Sequence, residues 1–565
     1  MIIIGIDFGT STTVVKYKVM GNEKISPIPD LNRGNTIIPS VILKYNDGRP
    51  TLYGDKALAT YNGISNPELA GEGELIKNFK IDLTSKDPEV REKSKSLIKE
   101  FLAYVYSCFS VIAMNASLDT SECEVYVSYP AKWIGTGFGQ FIADTIHQVG
   151  FPGKIHGVSE PAAAVQNALK YHLEHLRASR MLVSGEPLNI LMLDMGAGTS
   201  DIYIFPLKIE VMNGKIRIPT IKGTSYPSND DPAMCGGSEL DPIFQKIVIE
   251  HLKKALPGFE DYQIQGMFNT VDAKVWKENV SDAFSDGKVV SIPQKILNGF
   301  RIYCSQITRD QIDAIKSFTF NHAEFEGKTK EHWKNLYKMI ESAITLHKSR
   351  YGVGAEDIDL ILLTGGHASW YVVPKLFNGE GIGGMIGVDH TIDDKEVKAL
   401  HFTKIERESW RIFRDAHPHE SVANGLTLFK ENIDIADSSP NNVWVRFTVN
   451  DKSTDYKQVL EIGDRLGSEK PEETLKLDFG LSFFYNIKIE VLTGRNKETA
   501  SHWEHLLIFS DFIKRLSSIF SGNRGKAEFY LSYIFTCLDT GTPQFKFELR
   551  KDNETSKEIE VKIEI

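Results

Sequence analysis

The sequence predicts an α/β protein with a duplicated core, followed by a smaller β-rich C-terminal region. Three observations carry that reading. Residues 2–17, IIIGIDFGTSTTVVKY, and residues 190–205, ILMLDMGAGTSDIYIF, share one plan: an apolar strand, an Asp, a turn of Gly and hydroxyl residues, then a second strand. Between and after these units, strand-like runs alternate with segments whose apolar residues recur every three or four positions. Beyond about residue 430 the helical spacing gives way to alternation with period two.

The elements follow in order. Each repeated unit reads as a hairpin whose glycines tolerate positive φ. CEVYVSYPAKW is a strand ending at Pro130, and GQFIADTIHQVGF is a helix by its apolar spacing. KIHGVSEPAAAVQNALKYHLEHL reads as a short strand, then a helix with Pro161 in its first turn. CGGSELDPIFQKIVIEHLKKAL is a glycine turn entering a helix. DIDLILLTGGHASWYVVPKLF is a buried strand, a Thr-Gly-Gly turn and a further helix. HPHESVANGLTLF is a last helix, at 415–430. Polar insertions are expected around 82–98 and 212–232. A domain boundary is placed at about 430–440, in KENIDIADSSPNN. After it, NNVWVRFTVN and QFKFELRKDNETSKEIEVKIEI read as strands, and SHWEHLLIFSDFIKRLSSIF as a helix.

Composition narrows the function. With 565 residues, two to four units are expected. The formal net charge of −10 argues against nonspecific attraction to nucleic acid or anionic membrane. No run reads as a membrane helix, and the apolar start lacks the basic residues of a signal peptide. The five cysteines are scattered with no C-x-x-C spacing, so they are expected to be reduced and buried in a cytoplasmic protein.

The chemistry is concentrated in the repeated turns. Backbone N–H groups of a glycine turn cradle oxyanions. An Asp at the strand end suits magnesium, which takes oxygen ligands and keeps several waters. Asp7 and Asp194 are therefore the candidate metal-side carboxylates, and Asp201 the acid that positions water. Two other patterns carry less. GEGIGG at 379–384 follows no strand, so it reads as a loop rather than a dinucleotide motif. His417 and His419 have no third metal partner in view. A G-x-x-x-x-G-K-[ST] loop is absent.

In order, GIDFGTSTTVV, LDMGAGTSDIYIF and LILLTGGHASWYVVPKL resemble the two phosphate motifs and the adenosine motif of the actin-like ATPase superfamily. VSEPAAAVQNAL, CGGSELD and CSQITRDQI resemble segments of its seventy-kilodalton heat-shock chaperone branch. The resemblance spans about residues 1–430 and implies a two-lobed ATPase domain. Lobe I would be about 1–185, lobe II about 186–400, and a return helix about 415–430. It implies ATP/ADP and magnesium as ligands. Gly9, Thr10, Ser11, Gly196, Ala197, Gly198 and Thr199 would line the phosphates. Lys80, with Lys77 as rival, Glu160, Thr199 and Asp201 would serve hydrolysis. Gly236 and Gly237 would approach the ribose, Glu278 would contact it, and Gly365 and Gly366 would pass beneath the nucleotide. Where the family places two base-stacking arginines the chain has Asp282 and Ser369, with Trp370 either a stacking face or a core residue. The chain also lacks the family's interdomain linker and C-terminal lid helix. The resulting expectation is a divergent chaperone-like ATPase whose residues 440–565 bind a protein or peptide client, with a co-chaperone or exchange factor as a further partner. A filament-forming or scaffolding actin-like ATPase and a small-molecule kinase of the same superfamily are the alternatives.

Overall fold

The computed structural model describes the chain except for residues 33, 64–72, 131–132, 135–136, 179–186, 197, 208–209, 213–214, 218–222, 228–234, 269, 294–295, 297–306, 379–399, 415–416, 430–441, 450–451, 462–472, 478–485, 495, 499, 509–528, 538–542, 552–553, 556–558 and 563–565. It is a mixed α/β structure with several sheets.

Two of those sheets are built to one plan. The first contains β1 (Ile2–Phe8), β2 (Thr12–Val19), β3 (Ile25–Pro27), β4 (Ile37–Pro39), β5 (Cys123–Tyr129) and β6 (Lys154–Ser159). Its order is β3-β2-β1-β5-β6, with β4 also on β2. The second contains β7 (Leu188–Met195), β8 (Ser200–Leu207), β9 (Thr224–Tyr226), β10 (Leu360–Thr364) and β11 (Ile412–Arg414), in the order β9-β8-β7-β10-β11. In each, an antiparallel hairpin is extended by two parallel strands. Parallel neighbours need crossovers, and helices supply them. The central strands are buried along nearly their whole length, so they read as continuous apolar runs.

The helices that matter to the site are α1 (Pro88–Asn115), α2 (Phe138–Gln148), α3 (Glu160–Ala178), α4 (Asp241–Ala255), α5 (Thr270–Ser285), α6 (His322–Tyr351) and α7 (Ser421–Leu426). The expected polar insertion at 82–98 is largely the start of α1. Asp87 caps it by accepting from the Glu89 N–H at 2.9 Å, and Pro88 occupies the first turn. By length and composition α1 is apolar enough to cross a membrane, which the sequence reading missed; Leu97, Ile98, Phe101, Leu102, Val105 and Phe109 on it are buried in the core. The chain after β10 forms two short turns, Gly366–Ser369 and Val372–Lys375, instead of one helix. Where one helix was expected at 415–430, a 3-10 turn at Pro418–Glu420 leads into the short α7.

The hairpin turns hold a second correction. Neither Gly9 nor Gly196 has positive φ. Glycine is required at 9 by close approach: a Cβ there would lie 2.4 Å from the Thr12 carbonyl oxygen.

The C-terminal strands form two antiparallel sheets. Asn442–Val449 pairs with Lys457–Leu460 and Asn486–Gly494, which pairs with Ser501–Ile508. Glu473–Leu477, Phe529–Cys537, Pro543–Lys551 and Ile559–Lys562 form the other. The expected helix at 501–520 is therefore a strand at 501–508. Eight consecutive pairings with 486–494 satisfy its backbone, and tertiary pairing overrides the local helical spacing. Val443, Val445, Phe447, Leu460, Ile489, Val491 and Phe545 belong to the same continuous apolar cluster as the first sheet and α1. Of the cysteines, Cys108, Cys123 and Cys235 are free and buried. Cys304, the GEGIGG segment and most of 212–232 lie outside the described residues.

Candidate functional site

The two repeated turns meet at one cavity of about 300 Å³. Their backbones match bond for bond. The N–H of Gly9, two residues after Asp7, donates to the Thr12 carbonyl at 3.0 Å; that of Gly196, two residues after Asp194, donates to the Thr199 carbonyl at 2.9 Å. Of the side chains that differ between the turns, one pair bears on the chemistry. Asp7 faces Val14 across its hairpin, whereas Asp194 faces Asp201. Two carboxylates directly opposed on adjacent strands repel, and both are buried, at 6% and 2% exposure. Hairpin stability does not favour that pairing, which points to a ligand.

Asp7, Gly9, Thr10, Ser11, Lys80, Glu160, Asp194, Gly196, Gly198, Thr199, Asp201, Gly237, Gly365, Gly366 and Trp370 all line the cavity. Gly236 is buried beside it, at the start of the Gly237–Leu240 turn. Ala197 lies outside the described residues, as do the side chains of Glu278, Asp282 and Ser369. Lys80 is 3% exposed while Lys77 is exposed. The Lys80 ammonium lies 2.8 Å from Glu160 Oε1, with the rings of Phe8 and Trp133 at 5.6 and 5.4 Å. Glu160 opens α3, where a carboxylate complements the helix N-terminus.

The electrostatics are those of crowded acids. Burial and then Glu160 raise the Asp7 carboxyl to about 7, against the ammonium of Lys80 and the Ser128 hydroxyl, which donates to Asp7 Oδ1 at 2.8 Å. Burial, Glu160, Asp201 and Asp7 together raise Asp194 well above the ordinary carboxylate range. Among the described residues no three His, Cys, Asp or Glu side chains are grouped to hold a metal alone. The donor set still fits magnesium, whose sites combine one or two carboxylates with phosphate oxygens and water. Gly365 closes the floor. Its φ is +81°, and a Cβ would lie 2.4 Å from the Met195 carbonyl oxygen and 2.5 Å from Asp194 Oδ1.

On the other part of the lining, Trp370 borders the cavity while packing into the core. Trp370 is a core residue, 3% exposed, stacked on Phe325 at 5.0 Å and edge-on to Phe244. On α5 the cavity is lined by Lys277 and Ser281, one helical turn apart. Lys277 lies 2.5 Å from Asp241 Oδ1 and donates to the Gly237 carbonyl. Lys277, Ser281, Asp241 and His367 are among the lining residues the sequence reading did not name, and His419, set aside there as a metal ligand, also lines the cavity. Position 277 is one residue, about 100° of helix, from the expected Glu278. The i, i+4 pair 277/281 was the available signal. No protein-family model matches the chain.

Proposed function

We propose that residues 1–430 form a two-lobed, actin-like nucleotide-binding unit. It takes ATP or ADP with magnesium and hydrolyses ATP slowly, resembling the heat-shock chaperone branch. The observation that carries the reading is the convergence of two bond-for-bond equivalent Asp-and-glycine turns, from two sheets of the same order, on one cavity holding a buried lysine.

The residues divide the work. With the Gly9 and Gly196 N–H groups held in the hairpins, those of Thr10, Ser11, Gly198 and Thr199 would receive phosphate oxygens. Asp7 and Asp194 hold the cation side, and magnesium when bound neutralises charge on the phosphates. Lys80, kept dry between two rings and tethered to Glu160, supplies fixed positive charge beside the transferred group. Thr199 and Asp201 accept hydrogen bonds from water and aim its oxygen at the terminal phosphorus. That oxygen bonds to phosphorus as the bond to the ADP oxygen breaks, and one water proton passes to a phosphate oxygen. The C-terminal sheets would bind a protein or peptide partner according to nucleotide state, in the cytoplasm, with an exchange factor resetting the cycle.

Calorimetry with ATP and magnesium tests the site directly. Wild-type protein should bind, and Asp194→Asn should lose magnesium-dependent hydrolysis, since a neutral amide cannot balance the cation. Wild-type turnover from that variant would remove the metal-side role.

A further inference from the structure

Beside the acidic cluster runs a second chain of titratable groups. Glu239 lies on the turn Gly237–Leu240, with its side chain 50% exposed. Its Oε2 is 3.1 Å from His332 Nδ1, on α6. His332 Nε2 is 3.1 Å from His367 Nε2, and His367 lines the cavity. Both imidazoles are nearly fully buried, and Trp333 stacks on His367 at 5.4 Å.

Proton bookkeeping fixes this chain. An ionised carboxylate only accepts, so His332 Nδ1 carries a proton. The two facing Nε2 atoms share one proton. A neutral His332 therefore accepts at Nε2, and His367 donates from Nε2, leaving its own Nδ1 bare. That Nδ1 has no hydrogen-bond partner among the described residues. It lies against Gly237, where a Cβ would come within 3.1 Å of it. A proton placed there would be a buried donor without an acceptor. The nearby charged groups agree: burial, His332 and Lys277 hold the His367 pKa well below the ordinary histidine value. Among the described residues, Asp241, paired with Lys277, is a further acid at this wall.

The backbone shows why the tautomer matters. His367 follows Gly365 and Gly366, and its ring packs on Gly237. The Gly237 N–H in turn donates to the Gly196 carbonyl at 3.0 Å, inside the second aspartate turn. We propose that Glu239, His332 and His367 are positioning residues for the nucleotide cavity: the relay locks one His367 tautomer and so holds the 365–366 turn against the 236–237 turn. This inference rests on the nucleotide reading above.

The test uses full-length protein with ¹⁵N-labelled histidines. Long-range ¹H–¹⁵N spectra read each ring's tautomer, with His367 assigned from its absence in His367→Gln. Calorimetry with ATP and magnesium runs in parallel. The wild-type ring should carry its proton on Nε2. His332→Leu removes acceptor and donor together, and should give mixed tautomers and about tenfold weaker binding. His332→Gln should stay within about threefold of wild type, because its amide oxygen accepts from His367 while its NH₂ donates to Glu239. If the leucine variant does not fold, Glu239→Ala, at a half-exposed side chain, should still loosen the tautomer and weaken binding. A His367 proton on Nδ1, or His332→Leu or Glu239→Ala binding as wild type, overturns the proposal. If wild-type protein binds no nucleotide while His367 keeps the assigned tautomer, the nucleotide reading fails and the relay is only a core network.

Discussion

Replacing Asp7 by Asn should stabilise the nucleotide-free protein above neutral pH. Folding raises this carboxyl from 3.8 to about 7, chiefly by burial and by the charge of Glu160. The sign follows from linkage. A carboxyl whose pKa rises on folding binds protons more tightly in the native state, so its stabilising contribution is complete below the unfolded value. It is lost as pH climbs through about 7. Above that, the folded protein carries a charge it would rather not ionise, and the shift corresponds to about 4 kcal/mol. Asparagine keeps an oxygen to accept the Ser128 hydroxyl and has nearly the same volume, so the charge is what changes. For a melting unit of some hundreds of residues the gain is roughly 5 °C. Thermal melts of wild type and Asp7→Asn, without nucleotide or divalent cation, at pH 5 and pH 8.5 measure it. The variant should melt higher at pH 8.5, and the gap should narrow by more than half at pH 5. An equal difference at both values, or a less stable variant at pH 8.5, would refute the reasoning, because neither can come from a carboxylate forced to ionise in a buried acidic cluster. The same variant should lose cation-dependent nucleotide binding, a trade of function for stability.

Other outcomes follow from the same geometry. Asp201→Asn should keep nucleotide affinity and lose hydrolysis; equal losses in calorimetry and turnover would place it in the binding shell. Gly365→Ala should weaken nucleotide binding and lower the melting temperature, since φ +81° and contacts at 2.4 and 2.5 Å leave no room for a methyl group; an unchanged melt would show that the turn relaxes freely. With Trp370 packed into the core and Asp282 and Ser369 where arginines were expected, ATP and GTP should differ by less than about a hundredfold, or roughly 2.7 kcal/mol, in titration calorimetry. A chain ending near residue 435 should be poorly soluble, because seven buried C-terminal side chains share the cluster that includes the first sheet and α1. A soluble, monodisperse truncation in gel filtration would show that the cluster divides cleanly.

Much of the two similarly ordered sheets is written locally. The aspartate-and-glycine turns, the strand–helix alternation and the Pro161 helix start are decided by residues within a few positions of one another. Close approach and strand pairing act over that same range. Three things were not legible, each because distant partners decide them. Lys80 prevails over Lys77 only because Glu160, Phe8 and Trp133 converge on it from three other places in the chain. The helical spacing at 501–508 yields to a strand because 486–494 offers a ladder along its length. Trp370 lines the cavity with its ring packed into the core, because Phe244 and Phe325 enclose it, while Lys277, fixed by Asp241, takes a place on the same wall. A residue's type and spacing set what chemistry it can perform. Burial and charge from segments far along the chain decide whether it is placed to perform it.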